Sequence, residues 1–347
     1  DTVVHSNFLS KLSTYGVNNG PIFSWIKYFL SDRRQFVSHN NARSSYCPVI
    51  SDVPQGSVLG PLLFAIFIND IVQCVRYATV KVFADDTKLY GRVDSTDAYN
   101  RLLSDVHAIL AWMERNQLNV AAAKCVILHM GRKNPNRSYV CGDFQLKCVE
   151  TVKDLGVLVS KDLKPSQHCA NIVAKAFRKS SLLFKGFSCR DPSFLKAAFG
   201  IYVRPILEYA SCCWNPTLVK DIRLVESVQR RFTKRIPGLQ DLSYRQRLFK
   251  LNLDSLELRR LKADLCQVFK IIRGLDRLNY SQFFAPASGV TRGHGLKLCV
   301  PRYSSVLLRS SFSQRVLNAW NRLSCVSAVN LASFKRIADR ADLDLSA

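Results

Sequence analysis

The chain has 347 residues, enough for two or three compact units, with 48% hydrophobic and 22% charged residues. That composition excludes a disordered tail or a fibrous repeat, and the longest apolar run, 58–67, is about half the length of a membrane span. Net charge is +24, and 34 of the 50 Lys and Arg residues fall in 151–347 against 14 acidic ones there. So lopsided a basic excess points to a polyanionic partner, nucleic acid first, with a merely solvated surface as the plain alternative.

Residues 5–15 read as a helix, with Phe8, Leu9 and Leu12 on one face and Gly16 closing it. Pro21 suits the first turn of a second helix carrying Ile22, Trp25, Ile26 and Phe29. Segments 33–39 and 45–52 have strand-like content on either side of Asn40-Asn41, which predicts a hairpin. Pro54-Gln55-Gly56 makes a turn, and 58–75 is apolar nearly all round, which predicts a buried helix. Short strands are expected at 79–83 and 87–90, flanking Ala84-Asp85-Asp86. Ser95 can cap a helix containing Leu102, Leu103, Val106, Ile109, Leu110 and Met113. Strands follow at 125–130 and 155–159. Beyond Pro165 the pattern is helical, over roughly 166–184, 192–213, 217–236, 243–273 and 313–323. Residues 285–303 are rich in Gly, Pro and basic residues and read as a loop. The fold class is therefore α+β, turning all-α near residue 165.

The twelve cysteines are scattered, with no C-x-x-C pair and no histidine at finger spacing. No zinc site is evident, and reduced core thiols of an intracellular protein are expected.

The chemistry concentrates at Asp85 and Asp86. Adjacent acids in the turn of an apolar hairpin are costly unless something cationic meets them. Two Mg²⁺ ions would do so, and such a pair clamps the attacking and leaving oxygens of a phosphoryl transfer. Taken alone, Asp-Asp in a turn is most often just a turn, because Asp bonds its own backbone there. Further on, Arg230, Arg231, Lys234 and Arg235 form one basic face, opposite Leu224, Val225, Val228, Phe232 and Ile236. A helix tracking a nucleic-acid backbone has this pattern, and so does an ordinary amphipathic surface helix.

Phe83-Ala84-Asp85-Asp86 resembles the catalytic hairpin of reverse transcriptases, and 51–61 (SDVPQGSVLGP) resembles the motif preceding it, continued by 62–71 (LLFAIFINDI). With Trp112, Lys124-Cys125, 152–157 (VKDLGV) and 202–210 (YVRPILEYA), the wording is similar to non-LTR (LINE-type) retrotransposon polymerases of the jockey and CR1 kind. The likeness runs over essentially the whole chain. It implies a partial palm with a remnant of fingers at 1–165, a thumb at 166–240 and a basic helical C-terminal region at 241–347.

The implied activity is RNA-directed DNA polymerisation, with an RNA template, a DNA primer, dNTPs and Mg²⁺ or Mn²⁺. The implied location is intracellular, in nucleus and cytoplasm, with no membrane partner. Asp85 would be the firmer metal ligand and Asp86 its weaker neighbour. Phe83 and Ala84 would lie at the primer terminus, and Gln55 and Gly56 at the incoming nucleotide. Lys124 would meet the leaving pyrophosphate, Leu155 and Gly156 would press the primer, and Arg230, Arg231, Lys234 and Arg235 would follow the nucleic-acid backbone.

Two departures stand out. The family's Asn three positions before the lysine is Ala121 here. Asp1-Thr2-Val3 matches the end of a motif whose catalytic aspartate lies several residues upstream, so Asp1 is not that ligand. The expectation is an N-terminally truncated fragment, inactive or nearly so. Its alternative is a catalytically dead remnant that binds RNA or an RNA–DNA hybrid, and a group II intron maturase is a weaker third reading.

Overall fold

Gly, Pro and Asn set the first elements as the pattern predicts. The computed structural model describes residues 3–54, 56–131, 134–287, 294–303, 305–324, 326–341 and 343. α1 (His5–Thr14) is followed by Gly16 at φ +80°, and α2 (Pro21–Leu30) starts on a proline, whose missing N–H is no loss there. β1 (Arg34–Gln35) and β2 (Ser38–His39) run out, and β3 (Ala42–Arg43) and β4 (Cys47–Pro48) return antiparallel to them. Asn40 and Asn41 both take positive φ, 46° and 66°, the signs of a type I′ hairpin turn. The return strand carries one residue more between its paired segments, which is a bulge.

The apolar stretch behaves differently from the buried helix expected over 58–75. α3 covers only Gly60–Ile68 and gives way to a 3₁₀ turn at Asn69–Cys74. Val58 is 96% exposed and Leu62 56% exposed, because α3 buries one stripe, Leu63, Phe67 and Ile68, against its neighbours. Its start is tied locally: Ser57 Oγ accepts from Gly60 N–H at 2.9 Å and donates to the Pro54 carbonyl at 2.7 Å.

Phe8, Leu12, Ile26, Leu30, Leu63 and Phe67 make the first core. Beside it Lys11 donates to the Phe67 carbonyl and to Asp70 Oδ1, both at 2.8 Å, and lies 4.1 Å from the Trp112 ring centroid. Burial pulls the Lys11 pKa below its ordinary value, against the opposing pull of Asp70.

β5 (Thr79–Phe83) and β6 (Asp86–Tyr90) form the second hairpin. Its alternate residues Val80, Val82 and Leu89 pack on Ile109 and Trp112 of α4 (Thr96–Arg115) and on Ile68 and Ile71. Ser95 caps α4 by accepting from Ala98 N–H, as expected. Asp105, 2% exposed in mid-helix, accepts from three successive backbone N–H groups, of Arg76, Tyr77 and Ala78, at 2.6–2.9 Å. A 3₁₀ turn follows at Ala122–Lys124. The strand expected over 125–130 shrinks to β7 (Val126–Ile127). β8 (Val140–Cys141) pairs with β9 (Phe144–Gln145), and β10 (Lys147–Cys148) lies parallel to β7. These elements make one compact unit, residues 1–150.

Residues 151–347 make a second unit. It opens on a hairpin, β11 (Thr151–Asp154) and β12 (Val157–Ser160), followed by α5 (Ser166–Gly186). The helix expected over 192–213 is three: α6 (Pro192–Tyr202), α7 (Arg204–Glu208) and α8 (Ser211–Trp214). Pro205 has no N–H to continue the helix, and Ala210 turns left-handed at φ +52°. α9 (Val219–Lys234) comes next. The helix expected over 243–273 is also broken, into α10 (Tyr244–Leu251) and α11 (Leu256–Ile272). Asn252 closes the first at φ +47°, and Ser255 caps the second by accepting from Leu258 N–H.

α12 (Val306–Ser310), α13 (Phe312–Arg315) and α14 (Leu317–Arg322) are short. α15 (Leu331–Arg340), not expected from sequence, is capped by Asn330 and buries Phe334 and Ala338. One core joins α5, α6 and α9 through Ala176, Phe199, Val225 and Phe232. Another joins α11, α14 and α15, where Phe269 stacks on Phe334 at 4.5 Å beside Trp320.

The cysteines are free, but most are not core thiols: Cys47, Cys148, Cys189, Cys213 and Cys299 are exposed, while Cys141 and Cys169 are buried. Cys325 lies outside the described residues. Among the described residues, no helix is long and apolar enough to cross a membrane.

His168 ties the β11–β12 hairpin to α5. It is buried, its Nδ1 accepts from Leu158 N–H at 3.0 Å, and its ring meets Trp214 at 4.9 Å. Burial, helped by the Lys175 charge, holds its pKa below the ordinary 6.5. The folded chain takes up a proton on His168 only at lower pH than the unfolded chain, which does so as pH falls through about 6.5. Stability is therefore expected to drop below that pH, and His168→Gln to flatten the dependence, in denaturant melts compared at about pH 7.5 and 5.5.

Candidate active site and nucleic-acid interface

Phe83 and Asp86 pair across the end of β5 and β6, and Ala84-Asp85 is the two-residue connection. Ala84 sits at φ +50° and Asp85 at negative φ, the signs of a type II′ turn. A non-glycine there costs on the order of 1 kcal/mol. Because Val80, Val82, Thr87 and Leu89 face inward, Phe83, Lys81, Asp86 and Lys88 share the outer face, with Lys81 opposite Lys88.

Asp85 and Asp86 are both exposed. The expected penalty of an acidic pair in an apolar hairpin is thus absent, because both carboxylates keep their water. The energetic reason for a cation falls with it, and what remains is the chemistry of two adjacent hard oxygen donors. Among the described residues, no group of three His, Cys, Asp or Glu side chains could hold a metal ion.

Gln55 lies outside the described residues. Gly56 follows at φ +79° with open space where a Cβ would stand, so its backbone conformation is what requires glycine. Lys124 is exposed at the end of its 3₁₀ turn, its N–H donating to the Ala121 carbonyl at 2.8 Å. Among the described residues no hydrogen bond or ion pair joins it to Asp85 or Asp86.

In the second unit, Leu155 and Gly156 are the two turn residues of β11–β12, at φ +43° and +89°, a type I′ turn. Tyr209 covers this turn. Its hydroxyl donates to the Leu155 carbonyl at 3.0 Å, and its ring leaves only 3.2 Å to a Cβ on Gly156. Arg230, Arg231, Lys234 and Arg235 are all exposed, while Val225, Val228, Phe232 and Ile236 are buried as expected. Three of the four lie over rings: Arg230 over Tyr244 at 4.6 Å, Arg231 over Phe177 at 5.4 Å and Arg235 over Phe184 at 3.9 Å.

The structure adds residues that the pattern did not single out. Lys11 and Asp105 hold the segments around β5, and a lysine or an aspartate inside a helix gives no sequence signal of such a contact.

Residues 1–179, more than half of the chain, match the family profile of reverse transcriptase (RNA-dependent DNA polymerase). The chain belongs to the reverse transcriptase family. It is 26% identical over 230 residues to the probable RNA-directed DNA polymerase from transposon X-element of Drosophila melanogaster, covering 63% of this chain and 25% of that protein. It is 27% identical over 230 residues to the RNA-directed DNA polymerase from mobile element jockey of the same fly, covering 61% and 25%. Against the probable RNA-directed DNA polymerase from transposon BS the figures are 26% over 252 residues, 68% and 27%. Within its family the chain is a jockey-like, non-LTR reverse transcriptase. It spans about a quarter of the length of these relatives. The reverse transcriptase profile runs through the first unit and the β11–β12 hairpin and ends within α5.

The two turns make opposite demands on their residues. Ala84→Gly relieves the left-handed strain and should stabilise the chain by under about 1 kcal/mol, part being lost to the looser unfolded state. Gly156→Ala should destabilise it by about 1–2 kcal/mol, from positive φ and the Tyr209 ring together. Equilibrium urea melts of the two variants give the signs.

Proposed function

We propose that the chain is the palm and thumb part of an RNA-directed DNA polymerase that extends a DNA primer on an RNA template. The observation that carries it is the exposed Asp85-Asp86 pair on a tight hairpin, within a chain of the reverse transcriptase family. The palm with its remnant of fingers is 1–165, the thumb 166–240 and the basic helical region 241–347.

Asp85 and Asp86 would hold Mg²⁺, or Mn²⁺, through carboxylate oxygens, which suit a hard cation. Bound there, the metal would polarise the primer 3′-hydroxyl and neutralise charge on the transferring phosphate. Two adjacent carboxylates are an incomplete donor set, and no third joins them among the described residues. We infer that a further carboxylate from another segment completes the set, and that the chain by itself is inactive or nearly so.

The outward-facing Phe83 and the turn residue Ala84 leave the primer terminus a route to Asp85. Gln55 and Gly56 meet the incoming nucleotide, where a residue with no side chain lets a ligand approach the backbone. Lys124 screens or protonates the pyrophosphate. Leu155 and Gly156 bear on the primer strand, and the α9 cations follow the backbone of the template–primer duplex. RNA template, DNA primer and dNTPs are the partners this reading carries, with a nuclear and cytoplasmic location.

A second reading, an RNA or RNA–DNA hybrid binder without chemistry, is favoured by the incomplete donor set together with the intact basic face of α9. Primer extension separates the two. A chain joined to a carboxylate-bearing upstream segment of a jockey-type relative should extend the primer. Asp85→Ala in that protein should lower the rate by more than the roughly 100-fold that loss of an outer partner of a metal costs. Extension that survives Asp85→Ala would sink the polymerase reading. For the binding reading, affinity for a hybrid should fall steeply between low and moderate salt.

A further inference from the structure

Every residue of 34–48 is exposed, so the hairpin of β1 to β4 has neither face covered. A two-stranded ribbon is marginal in water by itself, and this one holds rings out to solvent. Phe36 meets Tyr46 edge to face at 5.1 Å, and the Arg43 guanidinium lies 5.2 Å from the Phe36 ring centroid.

α2 leads into the base of this hairpin. Trp25 stacks on Phe29 at 6.0 Å and 24°, and the Arg33 guanidinium lies 4.3 Å from the Phe29 centroid. Ring, ring and guanidinium thus follow at i, i+4 and i+8. The Arg33 carbonyl then accepts from Val49 N–H at 2.8 Å, which closes the hairpin. Asp32 is the one acid of 21–50, against Lys27, Arg33, Arg34 and Arg43. Among the described residues none of these four cations is in an ion pair.

Exposed rings with guanidinium planes laid on them, and little negative charge nearby, suit the stacking of unpaired bases. A single strand of nucleic acid brings bases for the rings and phosphates for the cations together. A duplex does not, because its bases are already stacked on one another.

We propose that α2 and the β1–β4 hairpin form a stacking platform for an unpaired stretch of RNA. Trp25 and Tyr46 take bases, and Arg34 and Arg43 take the adjoining phosphates. This deepens the nucleic-acid reading and rests on it: the strand is the single-stranded part of the template.

Trp25 supplies the readout. It is 52% exposed, whereas Trp112, Trp214 and Trp320 are at most 4% exposed. Oligouridine, which stays unpaired, should quench the emission of the full chain and lower its access to acrylamide. A blunt RNA–DNA hybrid of the same length should do neither. Trp25→Ala and Tyr46→Ala should each weaken binding of labelled oligouridine about 10-fold with the salt slope unchanged, since stacking and no charge is lost. Arg43→Gln should weaken binding and flatten the slope. All three side chains are exposed, so the variants should melt close to the parent chain.

Oligouridine binding that leaves the emission and the acrylamide access unchanged overturns the proposal. So does equal quenching by the hybrid, and so do Trp25→Ala and Tyr46→Ala variants that bind like the parent. A parent chain that binds the hybrid but not oligouridine removes the platform alone. One that binds neither removes the wider nucleic-acid reading with it.

Discussion

Every sheet among the described residues has only two strands, and a two-stranded ribbon is marginal in water unless something covers one face. That constraint orders the first unit. β5–β6 can persist because Val80, Val82 and Leu89 are laid on Ile109 and Trp112 of α4. Period-two alternation then leaves Phe83 and Asp86 no choice but the outer face. The acidic turn is exposed because the hairpin has used its inner face for its own support. Asp105 and Lys11 complete the arrangement by gripping the loop before β5 and the turn after α3.

The second unit solves the same problem for β11–β12 with different residues. His168 accepts from Leu158 N–H on one side, and Tyr209 donates to Leu155 in the turn. Around them runs a buried polar layer in place of a purely apolar core. Arg315 makes a two-pronged pair with Asp264, Asn215 bridges Asp264 and Arg260, and Gln229 and Glu226 meet Tyr244 and the start of α11. Pairing in a set geometry is what makes such groups tolerable inside; Arg260 Nη1 and Nη2 and Gln229 Oε1 stay buried without a partner, while the pairs that do form join residues 15 to 51 positions apart. The layer thereby sets the rotation of α9, turning its apolar stripe and its two acids inward and its cations outward.

The family match and the two units do not share a boundary. The profile ends within α5, whereas the chain divides after Glu150. α9, with the basic face, lies beyond the matched residues.

What the sequence determined by itself is local. Gly16, Pro21, Asn40-Asn41 and Ser95 announced their turns and caps, because each acts through its own backbone or the next few residues. The acidic hairpin and its family were legible for the same reason: the motif is contiguous. The apolar and basic faces of α9 were legible from spacing alone. Where chain-distant contacts decide, the pattern misled. The stretch 58–75 reads as one buried helix, but only packing decides that α3 stops at Ile68 and leaves Leu62 outside. α15 forms because Phe334 finds Phe269, whereas the break in the helix expected over 243–273 is local, with Asn252 at positive φ and Ser255 capping Leu258 N–H, and the apolar spacing across it masked that signal. The exposure of Asp85 and Asp86 and the seat of Lys11 belong to tertiary structure alone. Burial and pairing there are set by residues dozens of positions away, which no local pattern of side chains encodes.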